Sequence, residues 1–163
     1  MAKEQKTNAM RILDQNHIAY TVNTYECAEF TDGVTVADQL GQPYESSFKT
    51  LVAVGRSGGH YVFVIPIAEE VDLKAAARAV GEKAVELVHV KDLLGLTGYV
   101  RGGCTPLGMK KAFPTVIHES VTAFDRVIVS GGRIGAQIIL APDDLLTITR
   151  AWTADIIRHG EAT

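Results

Sequence analysis

The sequence predicts an α+β fold in which an antiparallel or mixed sheet is flanked by peripheral helices. Strand-like segments outnumber helix-like segments, and the helices are scattered among the strands. The strict strand–helix alternation of a doubly wound fold is absent. The many short strands, separated by turn residues, allow a closed or partly closed barrel. The chain has 163 residues, which fits a single domain over 1–163 with a core of its own.

Composition favours a soluble globular protein, since 47% of the residues are hydrophobic and 21% are charged. No apolar run is long enough to span a bilayer, and the start MAKEQKTNAMRIL lacks a signal-peptide core, so we expect a cytoplasmic protein. The cysteines, Cys27 and Cys104, are too few for a disulfide framework or a zinc site. We expect neither a metal nor a cofactor. The net charge of −3 argues against a broad basic face for nucleic acid and leaves RNA contact over a small patch open.

The first half of the chain begins with an amphipathic pattern over 4–16, which predicts a helix, and strand formers alternate over 18–26. The segment VTVADQLG predicts a short helix that ends at Gly41. Two β-branched runs, 48–54 and 60–66, are joined by RSGG and predict a hairpin.

The middle of the chain alternates between helices and less regular segments. Asp72 can cap the alanine-rich helix LKAAARAVG, which Gly81 closes. The segment 82–88 fits a strand or a helix, and 90–98 predicts a short helix with a glycine stop. The segment 99–108, YVRGGCTPLG, predicts a loop.

The last third predicts three short strands, in 115–120, 126–132 and 134–142, separated by turn residues. A short capped helix over 143–150 and a polar, frayed tail follow.

Lys49 occupies an unusual place at the head of a β-branched strand. Period-two alternation puts it on one face and Thr50 on the other, and both faces are otherwise largely apolar, which predicts a strand covered on both sides. One interpretation is a lysine that extends to water at the sheet rim. The other is a partly desolvated ammonium at the mouth of a pocket, directed at an anionic or carbonyl group.

The loop after residue 98 contains a Gly-x-x-x-Pro pattern, formed by Gly102, Gly103, Cys104, Thr105 and Pro106. Glycines allow main-chain N–H groups to approach a ligand, and proline fixes the exit direction. Such a loop can present donors to an oxyanion or a phosphate, although an ordinary turn has the same composition. The pattern is neither a Walker loop nor a dinucleotide fingerprint.

The other candidate residues carry weaker signals. Ser130 ends a strand before the hairpin turn SGGRIG. Cys104 would need a base to act as a nucleophile, and no histidine stands in a catalytic or metal-binding pattern. Tyr20 and Phe30 flank the first strand and could line a pocket.

Taken together, the blocks FKTLV, YVFVIP, GYVRGGCTPLGMKK and RVIVSGGRIGAQIILAP resemble the YbaK/EbsC family of aminoacyl-tRNA deacylases. The order and spacing match from about residue 18 to 155. Related members include the alanine-specific ProX type and the insertion editing domain of bacterial prolyl-tRNA synthetases. The resemblance implies a mixed, mainly antiparallel, barrel-like sheet flanked by helices.

The resemblance also implies an activity, which is hydrolysis of the ester joining cysteine to the 3′ end of tRNA(Pro), and of Cys-tRNA(Cys) as a further substrate. This reaction corrects a prolyl-tRNA synthetase that mistakes cysteine for proline, because a pocket cannot strongly reject a side chain of similar size. Aminoacylated tRNA is then the substrate, and prolyl-tRNA synthetase is an expected partner.

The family's functional residues map onto this chain at matching motif positions. The key lysine falls on Lys49, with Thr50 beside it as a substrate-binding residue. The loop falls on 102–106, and the binding residues fall on Tyr20, Phe30 and Ser130. In the cysteine-specific branch the substrate's own thiol attacks its ester carbonyl, while the lysine holds the terminal nucleotide or the ester and loop N–H groups of 102–105 stabilise the oxyanion. Cys104 then need not react.

Two alternatives stay open. One is a deacylase of the same fold that acts on another amino acid, such as alanine on tRNA(Pro). The other is a non-catalytic module that binds RNA ends or synthetases without turnover.

Overall fold

A computed structural model describes residues 6–26 and 31–159 of the chain. This part contains five α-helices and one 3₁₀ helix, Glu119–Ala123. The α-helices are α1 Asn8–Gln15, α2 Gly33–Leu40, α3 Leu73–Val80, α4 Val90–Thr97 and α5 Pro142–Thr149. None of the described helices is long and apolar enough to cross a membrane.

The same part of the chain contains eight strands. They are β1 Tyr20–Thr24, β2 Phe48–Gly55, β3 His60–Pro66, β4 Val85–Leu87, β5 Thr115–His118, β6 Val127–Ser130, β7 Ala136–Leu140 and β8 Trp152–Ala154. They form a three-stranded antiparallel sheet, in the order β1-β7-β6, and a five-stranded sheet, in the order β4-β2-β3-β5-β8. In the larger sheet β2 pairs antiparallel with β3 and β4, while β5 pairs parallel with β3 and β8. The predicted mixed, mainly antiparallel α+β fold is therefore confirmed.

The barrel closure that the sequence allowed does not occur among the described strands. Among the described residues, the two sheets pair with each other only at a parallel bridge between Ser47 and Ile128, where the Ile128 N–H donates to the Ser46 carbonyl at 2.9 Å. The opposite end of β2 is already paired with β4, from Ala53 to Gly55. Beyond the bridge β2 and β6 have no ladder between them, and this gap is where a cavity lies.

The five-stranded sheet is covered on both faces, as the pattern of β2 predicts. Phe48 and Val52 belong to a large core with α1, the loop after α4 and the three-stranded sheet. Ala53 belongs to a smaller core, with Leu51 packed against it, and this core includes Ala76 and Ala77 of α3. Lys49 shares the alternation of Leu51 and Ala53, so its strand position is held by packing on both sides.

Helices α2 and α3 end at the glycines that the sequence predicts, and Asp72 caps the start of α3 as predicted. Asp72 accepts hydrogen bonds from the first turn of α3, and Gly81 closes that helix in the left-handed region at φ +76°. Asp32 caps α2 in the same way, and Gly41 closes it. The cap predicted for the last helix is absent: α5 starts with Pro142 at its first turn, without a side-chain cap.

Two segments differ from or extend the sequence-based expectations. Residues 82–88, which fitted either element, contain strand β4. Strand β8 was not anticipated, because it has three residues and its Trp152 is exposed. The first residues of the predicted N-terminal helix, Phe30 and the end of the polar tail lie outside the described residues.

Candidate functional site

A cavity of about 350 Å³ lies where β2 diverges from β6. Its walls come from α2, β2, the end of β6 and the loop that follows α4. Its volume is near the lower end of the range of about 300–1,000 Å³ that is typical of small-molecule sites. The cavity is therefore sized for one small ligand group rather than for a nucleic-acid duplex.

Lys49 lines this cavity from the second residue of β2 and is half-buried there. Burial lowers the pKa of its ammonium, while the carboxylates of Glu70, Asp32 and Glu69 act in the opposite direction. Among the described residues, the ammonium has no hydrogen-bond or ion-pair partner. A partly desolvated cation without a partner is unfavourable unless a ligand completes it, which favours the pocket interpretation of Lys49 over the rim interpretation.

Thr50 places main-chain groups next to Lys49 on the open edge of β2. The Ser46 carbonyl accepts from Ile128, and the Val52 carbonyl accepts from the Val88 N–H at 3.0 Å, so even-numbered residues of β2 direct their main-chain groups toward this edge. No strand of the described chain pairs with Thr50 on that side. Its buried hydroxyl also has no hydrogen-bond partner within residues 6–26 and 31–159. Thr50 therefore offers unpaired polar groups, and it lines the cavity.

The glycine loop forms the wall opposite β2. Gly102 adopts φ +88°, a left-handed conformation that favours glycine. A Cβ on Gly103 would lie 2.8 Å from the Arg133 Cα, so the loop packs backbone to backbone against the turn between β6 and β7. Thr105 and Pro106, which follow in the loop, are buried, and the Thr105 hydroxyl has no hydrogen-bond partner among the residues that the structure describes. The close approach fixes the loop at the cavity wall.

The loop's N–H groups are not equivalent. The Gly103 N–H donates to the Val100 carbonyl at 2.9 Å, which removes it from the donor set expected over 102–105. In the described part of the chain, no acceptor contacts the N–H of Gly102, Cys104 or Thr105. Gly102 and Cys104 line the cavity, whereas Thr105 does not. An unpaired N–H group on a buried residue is rare, so the N–H of the buried Cys104 is the stronger candidate donor to a ligand. The N–H of Gly102, which is exposed at the cavity, is a second candidate.

Ser130 connects this loop to the end of β6. Its hydroxyl donates to the Gly102 carbonyl at 3.5 Å and accepts from the Gly132 N–H at 3.4 Å, and the residue lines the cavity. The Gly102 carbonyl is thereby directed toward Ser130.

Tyr99 holds the two ends of the loop together, a role that sequence reasoning missed because no local pattern indicates it. Its buried hydroxyl donates to the Leu107 carbonyl at 2.6 Å, which ties the two ends of the loop together. Thr97, at the end of α4, donates to the Leu93 carbonyl at 2.8 Å and accepts from the Tyr99 N–H at 3.0 Å. The loop is thus held from its base, and its glycines are not an indication of a mobile segment.

Cys104 does not have the environment of a nucleophile. Its side chain is buried, and burial raises the pKa of the thiol to about 12, with a hydrogen bond from Thr97 acting in the opposite direction. A thiol with this pKa stays protonated near neutral pH, whereas a nucleophilic cysteine needs the thiolate. All five histidines are described, and none of them lines the cavity.

Tyr20 is not brought to the cavity. Its hydroxyl instead donates to the Asp14 carboxylate at 2.9 Å, which holds β1 against α1. Burial raises the pKa of Tyr20 to about 12, and the bond to Asp14 acts in the same direction. The residue pairs with Leu140 at the far end of β1, while Tyr25 follows the other end and lines the cavity. The predicted Phe30 lies outside the described residues.

A cluster of amides at the cavity was also missed. Gln137 and Gln42 exchange hydrogen bonds of 3.0 and 2.8 Å, and the Asn23 amide donates to the same Gln137 oxygen at 3.0 Å. The cluster joins the segment after α2 to the three-stranded sheet. The signal for it is a lone amide in the otherwise apolar strand AQIIL. No group of His, Cys, Asp and Glu in the described residues could hold a metal ion.

Comparisons with known proteins agree with this fold. A profile of the aminoacyl-tRNA editing domain matches residues 29–148. The chain is 47% identical over 156 residues to EbsC of Enterococcus faecalis, whose name assigns it a predicted Cys-tRNA(Pro)/Cys-tRNA(Cys) deacylase activity, and the match covers 94% of each chain.

Two solved structures share the fold. One is described as a predicted trans-editing enzyme for prolyl tRNA synthetase; it is 26% identical, has a TM-score of 0.81, and the match covers 96% of this chain and 100% of that one. The other is the hypothetical protein APE2540, 23% identical, with a TM-score of 0.83 and coverage of 93% and 99%. The extent of the profile match and the identity to EbsC establish that the chain belongs to the aminoacyl-tRNA editing domain family.

Proposed function

We propose that this chain is a trans-editing deacylase that hydrolyses the ester joining cysteine to the 3′ end of mischarged tRNA(Pro), and that Cys-tRNA(Cys) is a further substrate. The observation that carries the proposal is the half-buried Lys49, which lines a cavity together with Gly102 and Cys104. The similarity to EbsC over nearly the whole chain supports the substrate class.

The cavity fits the aminoacylated end of a tRNA better than any larger part of it. A volume of about 350 Å³ suits a terminal nucleoside with a small amino acid. Val36, Ala37 and Ile67 contribute apolar wall, while Lys49 and Thr50 contribute polar groups on one side. Apolar walls around a few directed polar groups are the usual composition of a site that positions a small ligand.

In the proposed mechanism, Lys49 holds the terminal nucleotide or the ester oxygen, and the N–H groups of Gly102 and Cys104 stabilise the negative charge that develops on the carbonyl oxygen. Such preorganised donors are worth a factor of about 10²–10³ each in rate in enzymes that use them. Ser130 and Thr50 position the sugar or the aminoacyl group.

The nucleophile in this proposal is the thiol of the substrate. Its sulfur forms a bond to the ester carbon, the bond from that carbon to the 3′ oxygen breaks, and the thiol proton passes to the 3′ oxygen of the released tRNA. Water then opens the cyclic thioester to free cysteine. The proposal needs positioning and electrostatics from the protein rather than a side-chain base. It therefore agrees with a cavity that no histidine lines and with a protonated Cys104.

Editing of tRNA would place the protein in the cytoplasm, and prolyl-tRNA synthetase is the partner that this function implies. An acidic chain with a net charge of −3 gains from a partner that also holds the tRNA.

The experiment that tests the proposal compares hydrolysis of Cys-tRNA(Pro), Cys-tRNA(Cys), Ala-tRNA(Pro) and Pro-tRNA(Pro) by the parent protein and by Lys49→Ala. We expect the parent to cleave the cysteinyl substrates, and the variant to be folded and to cleave them about 10²–10³-fold more slowly. Strong cleavage of Ala-tRNA(Pro) would remove the thiol mechanism, because alanine has no thiol. Tight binding of all four without ester loss would indicate a non-catalytic module.

A further inference from the structure

One segment beside the cavity contains basic residues and no acidic ones. Between Asp92 and Glu119 the sequence contains no acidic residue, although the protein as a whole is acidic. The charged residues in this interval are Arg101, Lys110 and Lys111, and all three are exposed. We call these three residues the basic face.

The basic face adjoins the cavity through short, defined contacts. Arg101 lines the cavity directly. The Lys110 N–H donates to the Thr97 carbonyl at 2.9 Å, and its ammonium donates to the Gly95 carbonyl at 3.1 Å, so Lys110 packs on the end of α4. Thr97 in turn hydrogen-bonds Cys104, which lines the cavity. Lys111 follows in sequence and makes no ion pair within the described residues.

The opposite side of the cavity is acidic. Asp32 lines it, and the carboxylates of Glu69 and Glu70 act on Lys49 from the turn after β3. An RNA strand whose last nucleotide enters the cavity would therefore meet repulsion on that side and attraction on the side of the basic face. This charge difference would orient the RNA strand so that it leaves the cavity over the basic face.

We propose that the phosphate backbone of the tRNA acceptor end lies across the basic face when its terminal nucleotide occupies the cavity. The inference rests on the proposed function and adds to it the surface on which the RNA lies. Lysine and arginine contacts of this kind position nucleic acid without reading its sequence. The small area agrees with a net acidic chain that binds RNA over a limited patch.

The test reverses two charges of the face in Lys110→Glu/Lys111→Glu. A matched control, Arg56→Glu/Lys83→Glu, changes the net charge equally at the far end of β2, about 23 Å from Lys49 at about 3.3 Å per residue. Arg56 and Lys83 are exposed there, and the Arg56 N–H donates to the Ala84 carbonyl. Binding of uncharged tRNA is measured as a function of salt, and hydrolysis is measured on Cys-tRNA(Pro) and on a cysteinyl ester of adenosine.

We expect the Lys110/Lys111 variant to raise the Kd for tRNA by about tenfold and to lower the slope of log K against log salt by about 2, one unit for each phosphate contact. Its loss of hydrolysis should be much larger on Cys-tRNA(Pro) than on the adenosine ester, which lacks the acceptor-stem phosphates. An unchanged Kd and slope, or an equal effect of the control variant, would overturn the proposed surface. A parent protein that binds tRNA with this salt dependence but cleaves no ester would contradict the proposed function and leave the surface supported.

Discussion

The two walls of the cavity are built in different ways. The β2 wall is a regular strand whose side chains pack into a core on each face. The regular alternation of that strand determines the position of Lys49. The opposite wall is an irregular loop, and it is held by the hydrogen bond of Tyr99 and by the close approach of Gly103 to Arg133. The first wall depends on one side chain, whereas the second depends on backbone geometry. Substitutions should therefore affect the walls by different mechanisms.

The largest effect should come from the β2 wall. Lys49→Ala removes the unpartnered ammonium from the cavity, and we expect deacylation to fall by about 10²–10³-fold, as for loss of a preorganised electrostatic group. The fold should persist, since both cores are made by other residues of β2. Initial rates on Cys-tRNA(Pro), together with circular dichroism, check this. A folded variant with the parent rate would show that the site is elsewhere.

A methyl group in the loop wall should have the next largest effect. Gly103→Ala would place a Cβ 2.8 Å from the Arg133 Cα, so the loop must move and carry the Gly102 and Cys104 N–H groups with it. We expect a loss of about 10–100-fold in kcat, from misplacement of the donors.

The matched control for this loss is Gly95→Ala, in helix α4, where an added Cβ meets no atom within 4 Å. That substitution should stabilise the protein by about 0.5–1 kcal/mol and leave kcat unchanged. Urea denaturation and single-turnover kinetics measure both variants. Equal kcat values for the two alanine variants would contradict the role given to the loop.

The cation on the β2 wall should also carry a cost in stability. Burial lowers the pKa of Lys49 in the folded state, so between that pKa and the ordinary value the unfolded chain binds the additional proton. The contribution of Lys49 to the free energy of unfolding therefore increases as the pH rises through that interval. We expect Lys49→Met to be more stable than the parent at neutral pH, and the difference to shrink toward the ordinary lysine pKa.

Thermal melts of parent and Lys49→Met from pH 7 to pH 10.5 test this sign. A difference that does not change with pH would mean that the gain comes from packing alone.

The smallest effect should come from the thiol on the loop wall. Cys104→Ser keeps the N–H of residue 104 and a small polar group beside Thr97, and the native thiol is protonated near neutral pH. We expect less than about a threefold change in kcat, because the proposed role belongs to the main chain. Rates on Cys-tRNA(Pro) at pH 7.5 measure it, and loss of turnover in a stable variant would instead indicate a cysteine nucleophile.

The same contrast explains how much of the molecule could be predicted. The β2–β3 hairpin, the cap at Asp72 and the position of Lys49 follow from local periodicity and capping chemistry, and the structure contains them. The divergence of β2 from β6 depends on how two sheets meet, which no local pattern encodes. Strand β8 was missed for a related reason, because its pairing with β5 comes from tertiary contact.

The site residues divide in the same way, into those that a local pattern indicates and those that depend on tertiary contact. Lys49 and the Gly102 loop were found because a lysine in an apolar strand and a glycine cluster are local anomalies. Tyr20 was expected at the cavity, but strand alternation alone cannot say which end of β1 faces it, and Tyr25 occupies that place. The sequence also could not show that the Gly103 N–H is already hydrogen-bonded to the Val100 carbonyl, because that bond depends on the three-dimensional path of the loop.

The single bridge between Ser47 and Ile128 has a consequence for evolution of selectivity in this scaffold. Because one main-chain bridge joins the two sheets in the described chain, the angle between them depends on the side chains packed in their shared core. Substitutions in that core would widen or narrow the cleft without altering any residue inside it, and would thereby change which amino acid is accepted while Lys49 and the loop amides stay in place. Preference would drift through remote repacking as readily as through exchange of lining side chains.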